Sequence, residues 1–111
     1  MENLSEENIR KIQELQILEQ NLQNILVQKQ AFQFEENEII TASEELKNSN
    51  EEVYKIVGQI MIKSNKQDLE KELKSKRELV QLRIKNMEIQ EGILREKVSE
   101  LRENILKDIK H

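Results

Sequence analysis

Residues 53–63 have the sequence Val-Tyr-Lys-Ile-Val-Gly-Gln-Ile-Met-Ile-Lys, and this stretch decides the fold. Two short runs rich in β-branched residues flank the dipeptide Gly58-Gln59. Glycine at the first position of a two-residue connection is typical of a type II′ turn, because that position requires a positive φ. The stretch therefore predicts a β-hairpin, which we place at residues 52–64.

On the N-terminal side of the hairpin, steps of three and four residues select a series of mostly apolar positions. These are Leu15, Leu18, Leu22, Ile25, Lys29, Phe32, Glu36, Ile39, Ser43 and Leu46. Such a heptad seam is typical of a helix that packs along one long partner. We predict a helix over residues 5–47, with the hydroxyl of Ser5 as its N-cap.

The C-terminal side repeats the same stepping. The selected positions are Leu73, Arg77, Val80, Ile84, Met87, Glu91, Leu94, Val98, Leu101 and Ile105. We predict a second helix over residues 65–109, opened by a capping box in which Ser64 is the N-cap and Gln67 reaches back. The polar residues predicted to lie in the buried seams, Lys29, Glu36, Arg77 and Glu91, are interpreted as ion-paired or register-setting rather than catalytic.

The predicted fold class is mainly α: a long antiparallel two-helix coiled coil with one β-hairpin between the helices. A chain of 111 residues with 2 Gly and no Pro fits a single domain, residues 1–111, without long loops. Each helix would be roughly 65–70 Å long. If the hairpin reverses the chain, both termini lie together at the opposite end.

The hairpin is apolar on both faces, with Val53 and Val57 on one and Tyr54 and Ile56 on the other. An isolated two-stranded hairpin is marginally stable in water, and its free edges are templates for further strands. We therefore expect hairpins from several subunits to join into an inter-subunit β-barrel. The alternative is a hairpin that lies flat against the helices.

Apolar residues also gather towards the two chain ends. Leu4, Ile9 and Ile12 precede the regular seam, whereas Leu106 and Ile109 lie beside it. They either close the last turns of the coiled coil or form an adaptable patch that binds exposed apolar surface of other proteins. A further set on the second helix is either scattered exposed residues or a contact with a neighbouring subunit. That set is Leu79, Leu82, Ile89 and Ile93.

Residues and motifs suited to catalysis, metal binding or nucleotide binding are scarce. There is no Cys, and the one histidine is His111, at the last position. The sequence holds no Gly-rich phosphate loop and no calcium loop, so we predict no cofactor and no metal. A net charge of −4 argues against nucleic acid, and no apolar run approaches the roughly 18 residues of a membrane span.

The hairpin sequence closely resembles the strand pair of prefoldin β-type subunits. The charged segment Glu72-Leu73-Lys74-Ser75-Lys76, the pair Arg83-Ile84 and the pair Gln90-Glu91 match further stretches of that family. Prefoldin α-type subunits carry two hairpins, whereas the space between the predicted helices here holds one. The resemblance thus points to the β type.

The resemblance implies a cytoplasmic, ATP-independent chaperone of two α-type and four β-type subunits. Hairpins would form the platform, and the coiled-coil tips would hold non-native polypeptides before transfer to a group II chaperonin. The implied assembly residues are Val53, Tyr54, Ile56, Val57, Gly58, Ile60, Met61 and Ile62. The implied client-binding residues are Leu4, Ile9, Ile12, Leu15, Val98, Leu101, Ile105, Leu106 and Ile109.

Other classes of function remain to be weighed. The leading alternative is a structural coiled-coil spacer or adaptor that binds one folded partner. A nucleic-acid-binding helical arm, as in seryl-tRNA synthetases, would need a basic stripe that the sequence lacks. An enzyme is the weakest alternative, because the carboxylates lie on predicted solvated helix faces with Lys or Arg three or four residues away.

Overall fold

The structure, a computed structural model, describes residues 5–50 and 52–110. The elements are helix α1 (Glu6–Asn48), strand β1 (Val53–Val57), strand β2 (Ile60–Ser64) and helix α2 (Lys66–Lys110). Two long helices with one hairpin between them confirm the predicted mainly helical fold class. The barrel between subunits stays a prediction.

Helix α1 begins as the sequence predicts. The backbone N–H of Asn8 donates to Ser5 Oγ at 3.1 Å, and the N–H of Ile9 donates to the Ser5 carbonyl at 3.0 Å. Glu6 and Glu7 occupy the first turn, where negative charge favours the positive end of the helix dipole. Ser5 is therefore the N-cap of α1.

The predicted cap of α2 is wrong by one residue. Asn65, not Ser64, holds the cap: the N–H of Asp68 donates to Asn65 Oδ1 at 2.8 Å, and Asn65 Nδ2 donates to Asp68 Oδ2 at 2.7 Å. Ser64 is the last residue of β2 and pairs with Val53. Because Ser64 is still part of the strand ladder, the helix can begin only after the next residue.

The C-terminal end of α1 is capped by the other helix. Lys66 Nζ donates to the carbonyl of Lys47 at 3.0 Å and to that of Ser49 at 3.4 Å. The last carbonyls of a helix lack partners within it, and positive charge favours the negative end of the helix dipole. Lys66 therefore ties the start of α2 to the end of α1.

The chain divides into two compact units. The terminal unit combines Met1–Gln30 with Lys85–His111, and the hairpin unit is Ala31–Ile84. In the terminal unit, Lys11 pairs with Asp108 and Glu19 with Arg102, so residues that advance along α1 meet residues that retreat along α2. The two helices are antiparallel there, as predicted.

In the hairpin unit, the guanidinium of Arg83 on α2 lies over the ring of Phe32 on α1, 5.6 Å from its centroid. Nearer the hairpin, Lys66 meets the end of α1 in the contact described above. Residue numbers again rise along one helix as they fall along the other. The helices of this unit are therefore antiparallel too.

Every buried side chain of the described helices lies on a predicted seam. The buried apolar side chains are Ile39, Leu46, Val80, Val98 and Ile105. All other seam positions but one are half-buried. The exception is Arg77, which is exposed, so its prediction as a buried seam residue is wrong. The length of the arginine side chain explains this, because its stem can follow the helix surface while the guanidinium stays in water.

The other polar seam residues differ in their partners. Lys29 Nζ lies 2.7 Å from Glu91 Oε1, and Arg95 Nε lies 2.8 Å from Glu91 Oε2. The predicted ion pairing is therefore confirmed for Lys29 and Glu91. Glu36 is half-buried and makes no ion pair with any described residue.

Candidate functional site

The hairpin turn has the predicted type. Gly58 has a φ of 62°, and the φ of Gln59 is not positive, as type II′ geometry requires. Val57 and Ile60 face each other as the last pair before the turn. A side chain at position 58 would be strained by its backbone alone, since an added Cβ there would meet no atom within 4 Å.

Strand pairing divides the hairpin into two faces. Val53, Lys55 and Val57 share one face with Ile60, Ile62 and Ser64, and Tyr54 and Ile56 share the other with Met61 and Lys63. Six large apolar side chains are exposed. They are Tyr54 at 50%, Ile56 at 70%, Val57 at 50%, Ile60 at 65%, Met61 at 64% and Ile62 at 49%. These exposures argue against a hairpin that lies flat on the helices.

The outer edges of the two strands also lack partners within the described chain. In a hairpin closed by a two-residue turn, the closing pair is hydrogen-bonded and the next pair is not. Ile56 and Met61 form that next pair, so their backbone N–H and C=O groups point outward. The sheet of the described chain has only two strands, and both outer edges can accept another strand.

The base of the hairpin is fixed to α2. Lys55 Nζ lies 2.6 Å from Glu72 Oε1. The hydrogen bond from Lys55 lowers the pKa of Glu72 below its ordinary value, and the charges of Lys55 and Lys76 act in the same direction. An open groove of about 380 Å³ runs between β1 and the helices, and Leu46 and Leu73 form part of its apolar lining.

Sequence reasoning missed a polar cluster at the other face of the hairpin base. The hydroxyl of Tyr54 donates to Glu52 Oε2 at 2.8 Å, and Lys63 Nζ donates to Glu52 Oε1 at 3.0 Å. These two hydrogen bonds lower the pKa of Glu52. Tyr54 and Lys63 face each other across the strands, so one carboxylate connects both. Only the strand register makes this visible.

The predicted client-binding residues are not equally accessible. Ile9 is 46% exposed, Leu106 is 55% exposed and Ile109 is 52% exposed. Ile12, Leu15 and Leu101 are half-buried, whereas Val98 and Ile105 are buried in the seam. Leu4 lies outside the described residues. The structure thus divides the set into residues that close the coil and residues that face water, which the sequence had left open.

Two ion pairs join α1 to α2 beside the buried seam near the chain ends. Lys11 Nζ lies 2.8 Å from Asp108 Oδ2, and Arg102 pairs with Glu19. The hydrogen bond to Asp108 raises the pKa of Lys11. Leu106 and Val98 nevertheless line an open groove of about 460 Å³ between the helices, so part of the apolar surface at this end faces water.

Further exposed apolar residues lie outside both predicted sets. On α1 they are Ile17 at 62%, Val27 at 56% and Phe34 at 66%. On α2 they are Leu79 at 48%, Leu82 at 55%, Ile89 at 55% and Ile93 at 50%. The α2 set was predicted from the sequence, whereas the α1 set was not. A second pass of three- and four-residue steps, offset from the seam, would have selected Ile17, Val27 and Phe34.

The described part of the chain offers no metal site and no membrane-spanning helix. No three His, Cys, Asp or Glu side chains of residues 5–50 and 52–110 gather in a way that could hold a metal ion. Neither α1 nor α2, as described, has an apolar stretch long enough to cross a bilayer. The notable surfaces are therefore the hairpin, the helix ends and the exposed apolar residues between them.

Comparison with known proteins identifies a matching family and several similar relatives. The family described as "Prefoldin subunit" matches residues 9–111. A prefoldin subunit beta of Saccharolobus islandicus is 36% identical over 106 residues, which cover 94% of this chain and 84% of the relative. That of Archaeoglobus fulgidus is 36% identical over 96 residues, with 85% and 83% covered.

A solved structure agrees with this result. The crystal structure of the prefoldin beta subunit from Thermococcus strain KS-1 matches with a TM-score of 0.92 at 32% identity, covering 100% of this chain and 99% of the other. Two helices joined by a strand hairpin, together with these matches, define a chaperone subunit of the coiled-coil class. The chain belongs to the prefoldin family. Within that family it is similar to β-type subunits along almost its whole length, which confirms the resemblance found in the sequence.

Proposed function

We propose that this chain is a β-type subunit of a hexameric, ATP-independent chaperone with two α-type and four β-type subunits. It captures non-native polypeptides at the apolar ends of its coiled coil and passes them to a group II chaperonin in the cytoplasm. The observation that carries this proposal is the exposure of Ile9, Leu106 and Ile109 at the helix ends of a prefoldin-family chain. Membership of the family supports assembly with other prefoldin subunits.

Assembly through the hairpin is supported by what the hairpin lacks. Six exposed apolar side chains and two free edges are unfavourable in water, and strands from other subunits would cover both. Burying the exposed half of each side chain would contribute on the order of 1 kcal/mol. Together they favour the inter-subunit β-barrel over a lone hairpin.

Capture at the helix ends follows from the chemistry of the client. An unfolded chain has no fixed shape, so it is held by non-directional apolar contacts rather than by a shaped pocket. One end offers few such contacts, and its affinity is low. Several coiled coils on one platform raise the overall affinity, because each further contact becomes intramolecular. Release to the next chaperone then needs competition rather than nucleotide hydrolysis.

The test uses the full chain in complex with an α-type subunit. Replacing Ile9, Leu106 and Ile109 by Gln should reduce the suppression of aggregation of a chemically denatured protein, measured by light scattering. The matched control replaces Ile17, Val27 and Phe34 by Gln. These residues are exposed to a similar degree but lie outside the predicted set.

The expected result is a loss of protection in the first variant and retained protection in the second, with both complexes intact. Equal protection by the two variants would contradict capture at the helix ends. A wild-type complex that suppresses no aggregation, yet binds one folded partner, would favour the spacer function instead.

A further inference from the structure

One stretch of α1 differs from the rest of the chain in its charge. Charged residues make up 36% of the sequence, yet Lys29 is the single charged residue between Glu19 and Glu35. Carboxamides take the places that charges hold elsewhere. They are Gln20, Asn21, Gln23, Asn24, Gln28, Gln30 and Gln33. Lys29 is half-buried and paired with Glu91 at 2.7 Å, so this stretch presents no unpaired charge.

Part of this stretch borders an open groove within the terminal unit. Its volume is about 440 Å³, within the roughly 300–1,000 Å³ that ligand pockets span. The groove is lined by carboxamides from both helices and by three aliphatic side chains. The lining residues are Asn21, Asn24, Ile25, Gln28, Gln90, Ile93 and Leu94. None of them is charged.

Most of these carboxamides have unused hydrogen-bonding capacity. Gln20 Nε2 donates to Asn24 Oδ1 at 3.2 Å. The side chains of Asn21, Gln28 and Gln90 make no hydrogen bond within the described part of the chain. Each offers both an N–H donor and a C=O acceptor, which is the pairing capacity of a peptide group. The groove therefore combines apolar contact with groups that can pair with backbone.

We propose that this groove is a second binding site for non-native polypeptide, separate from the helix ends, and that it takes extended uncharged segments. Apolar side chains of the client contact Ile25, Ile93 and Leu94, while its peptide groups pair with the free carboxamides. Such pairing does not depend on the sequence of the client. The proposal rests on the proposed chaperone function and adds the class of segment that is bound.

The charge pattern selects this occupant over a second copy of the chain. A charged residue placed in this uncharged groove loses hydration without gaining an ion-pair partner. Outside residues 20–34, the helix faces of this chain carry charges every few residues, which another copy would bring into the groove. Residues 20–34 of another copy lie within a helix whose backbone N–H and C=O groups are already paired, so they cannot pair with the carboxamides of the groove. An uncharged, extended stretch of an unfolded protein brings no charge and has free peptide groups.

The test introduces charge into the groove. Gln28→Glu combined with Gln90→Glu places a carboxylate on each helix within it, and Gln30→Glu combined with Gln81→Glu is the matched control. Gln30 and Gln81 are exposed and do not line the groove. The probe is a short fluorescein-labelled peptide of alternating Ser and Val, titrated into the complete complex and followed by fluorescence anisotropy.

The groove variant should bind the peptide about fivefold more weakly than wild type, because the new carboxylates oppose desolvation. The control should match wild type. Equal affinity of the two variants would overturn the groove site. Aggregation suppression by the wild-type complex is recorded in parallel, since its absence would overturn the chaperone function itself rather than this site.

A second measurement tests the groove without the charged variant, which could bind weakly simply because it has lost structure. A photo-reactive benzophenone side chain replaces Asn24 in one protein and Gln30 in another, and a denatured client is irradiated with each. Cross-linking of the client at position 24 and not at position 30 is expected. Cross-linking at position 24 to another copy of the chain, with no client captured, would make the groove a self-association surface and contradict the proposal.

Discussion

At the scale of single residues, the seam of the coiled coil is the most regular feature of the molecule. Apolar side chains hold most of it, and Lys29 with Glu91 forms a partly shielded ion pair within it, with side chains 20% and 16% exposed. A polar pair inside an apolar seam favours the register that brings its members together, because any other register leaves charges unpaired. This pair is thus placed to fix the alignment of α1 and α2 in the terminal unit.

Glu91 predicts a dependence of stability on pH. Hydrogen bonds from Lys29 and then Arg95 lower its pKa in the folded state below the ordinary value of 4.5. A lowered folded-state pKa stabilises the protein above the unfolded-state pKa, and this contribution is lost as the pH falls through the lower value. Thermal unfolding followed by circular dichroism between about pH 6 and pH 3 should show the melting temperature falling.

The Glu91→Gln variant should lose part of that fall, because it has no carboxylate to protonate at this position. Glu88→Gln is the control, since Glu88 is exposed and makes no ion pair with any described residue. An unchanged pH profile in Glu91→Gln would show that the ion pair does not contribute to stability.

Hydrophobic periodicity predicts the burial of some single residues and not of others. Three- and four-residue steps predicted the burial of Val98 and Ile105 in the seam, because the side of a helix that faces its partner follows from spacing. They could not predict that Arg77 is exposed at a seam position. They also could not divide the apolar residues near the chain ends into closed and accessible ones. Side-chain length and distance from the helix end decide those cases.

At the scale of elements, the limits of each helix and the hairpin depend on a few short-range signals. Ser5 was predictable as a cap because no competing residue adjoins it. At α2, Ser64 with Gln67 and Asn65 with Asp68 are both plausible boxes in sequence. Strand pairing of Ser64 with Val53 settles the choice, and this long-range constraint cannot be derived from local sequence.

The cap of α2 can be tested by two neighbouring substitutions. Asn65→Ala should destabilise the protein by about 1 kcal/mol, because it removes the acceptor for the Asp68 N–H. Ser64→Ala should leave the free energy of unfolding within about 0.5 kcal/mol of wild type. Urea unfolding curves give both values. A larger loss for Ser64→Ala than for Asn65→Ala would return the cap to Ser64.

Alanine substitutions at the two glycines should change the stability of the protein in opposite directions. Gly58→Ala forces a side chain into a positive φ and should weaken the hairpin by about 1–2 kcal/mol. Gly92→Ala should stabilise α2 by about 1 kcal/mol, because glycine is a poor helix former and an added Cβ there meets no atom within 4 Å.

The melting temperature of the assembled complex measures both effects. We expect it to fall for Gly58→Ala and to rise for Gly92→Ala. A rise for Gly58→Ala would contradict the type II′ turn, and a fall for Gly92→Ala would point to a close neighbour of Gly92 in the assembly.

At the scale of the whole molecule, exposed apolar side chains lie both on the hairpin and towards the helix ends. We propose that those of the hairpin serve assembly and that those of the helix ends bind clients. The sequence predicted the hairpin because the helical period stops at residues 53–63 and resumes afterwards. It could not predict the cluster of Glu52, Tyr54 and Lys63, because these residues come together only through the pairing of the two strands. It could not predict the uncharged groove, because the residues that line it come from both helices.

Completion of the hairpin by other subunits is tested most directly by the mass of the complex. Ile60 and Ile62 are both replaced by Lys, and light scattering is measured in the presence of an α-type subunit. Ile17→Lys with Val27→Lys, on an exposed part of α1, is the matched control. We predict that the hairpin variant falls to the 13.2 kDa of a single chain while its helical circular dichroism persists, and that the control remains in the complex. A hairpin variant that keeps the full mass of the wild-type complex would contradict the account.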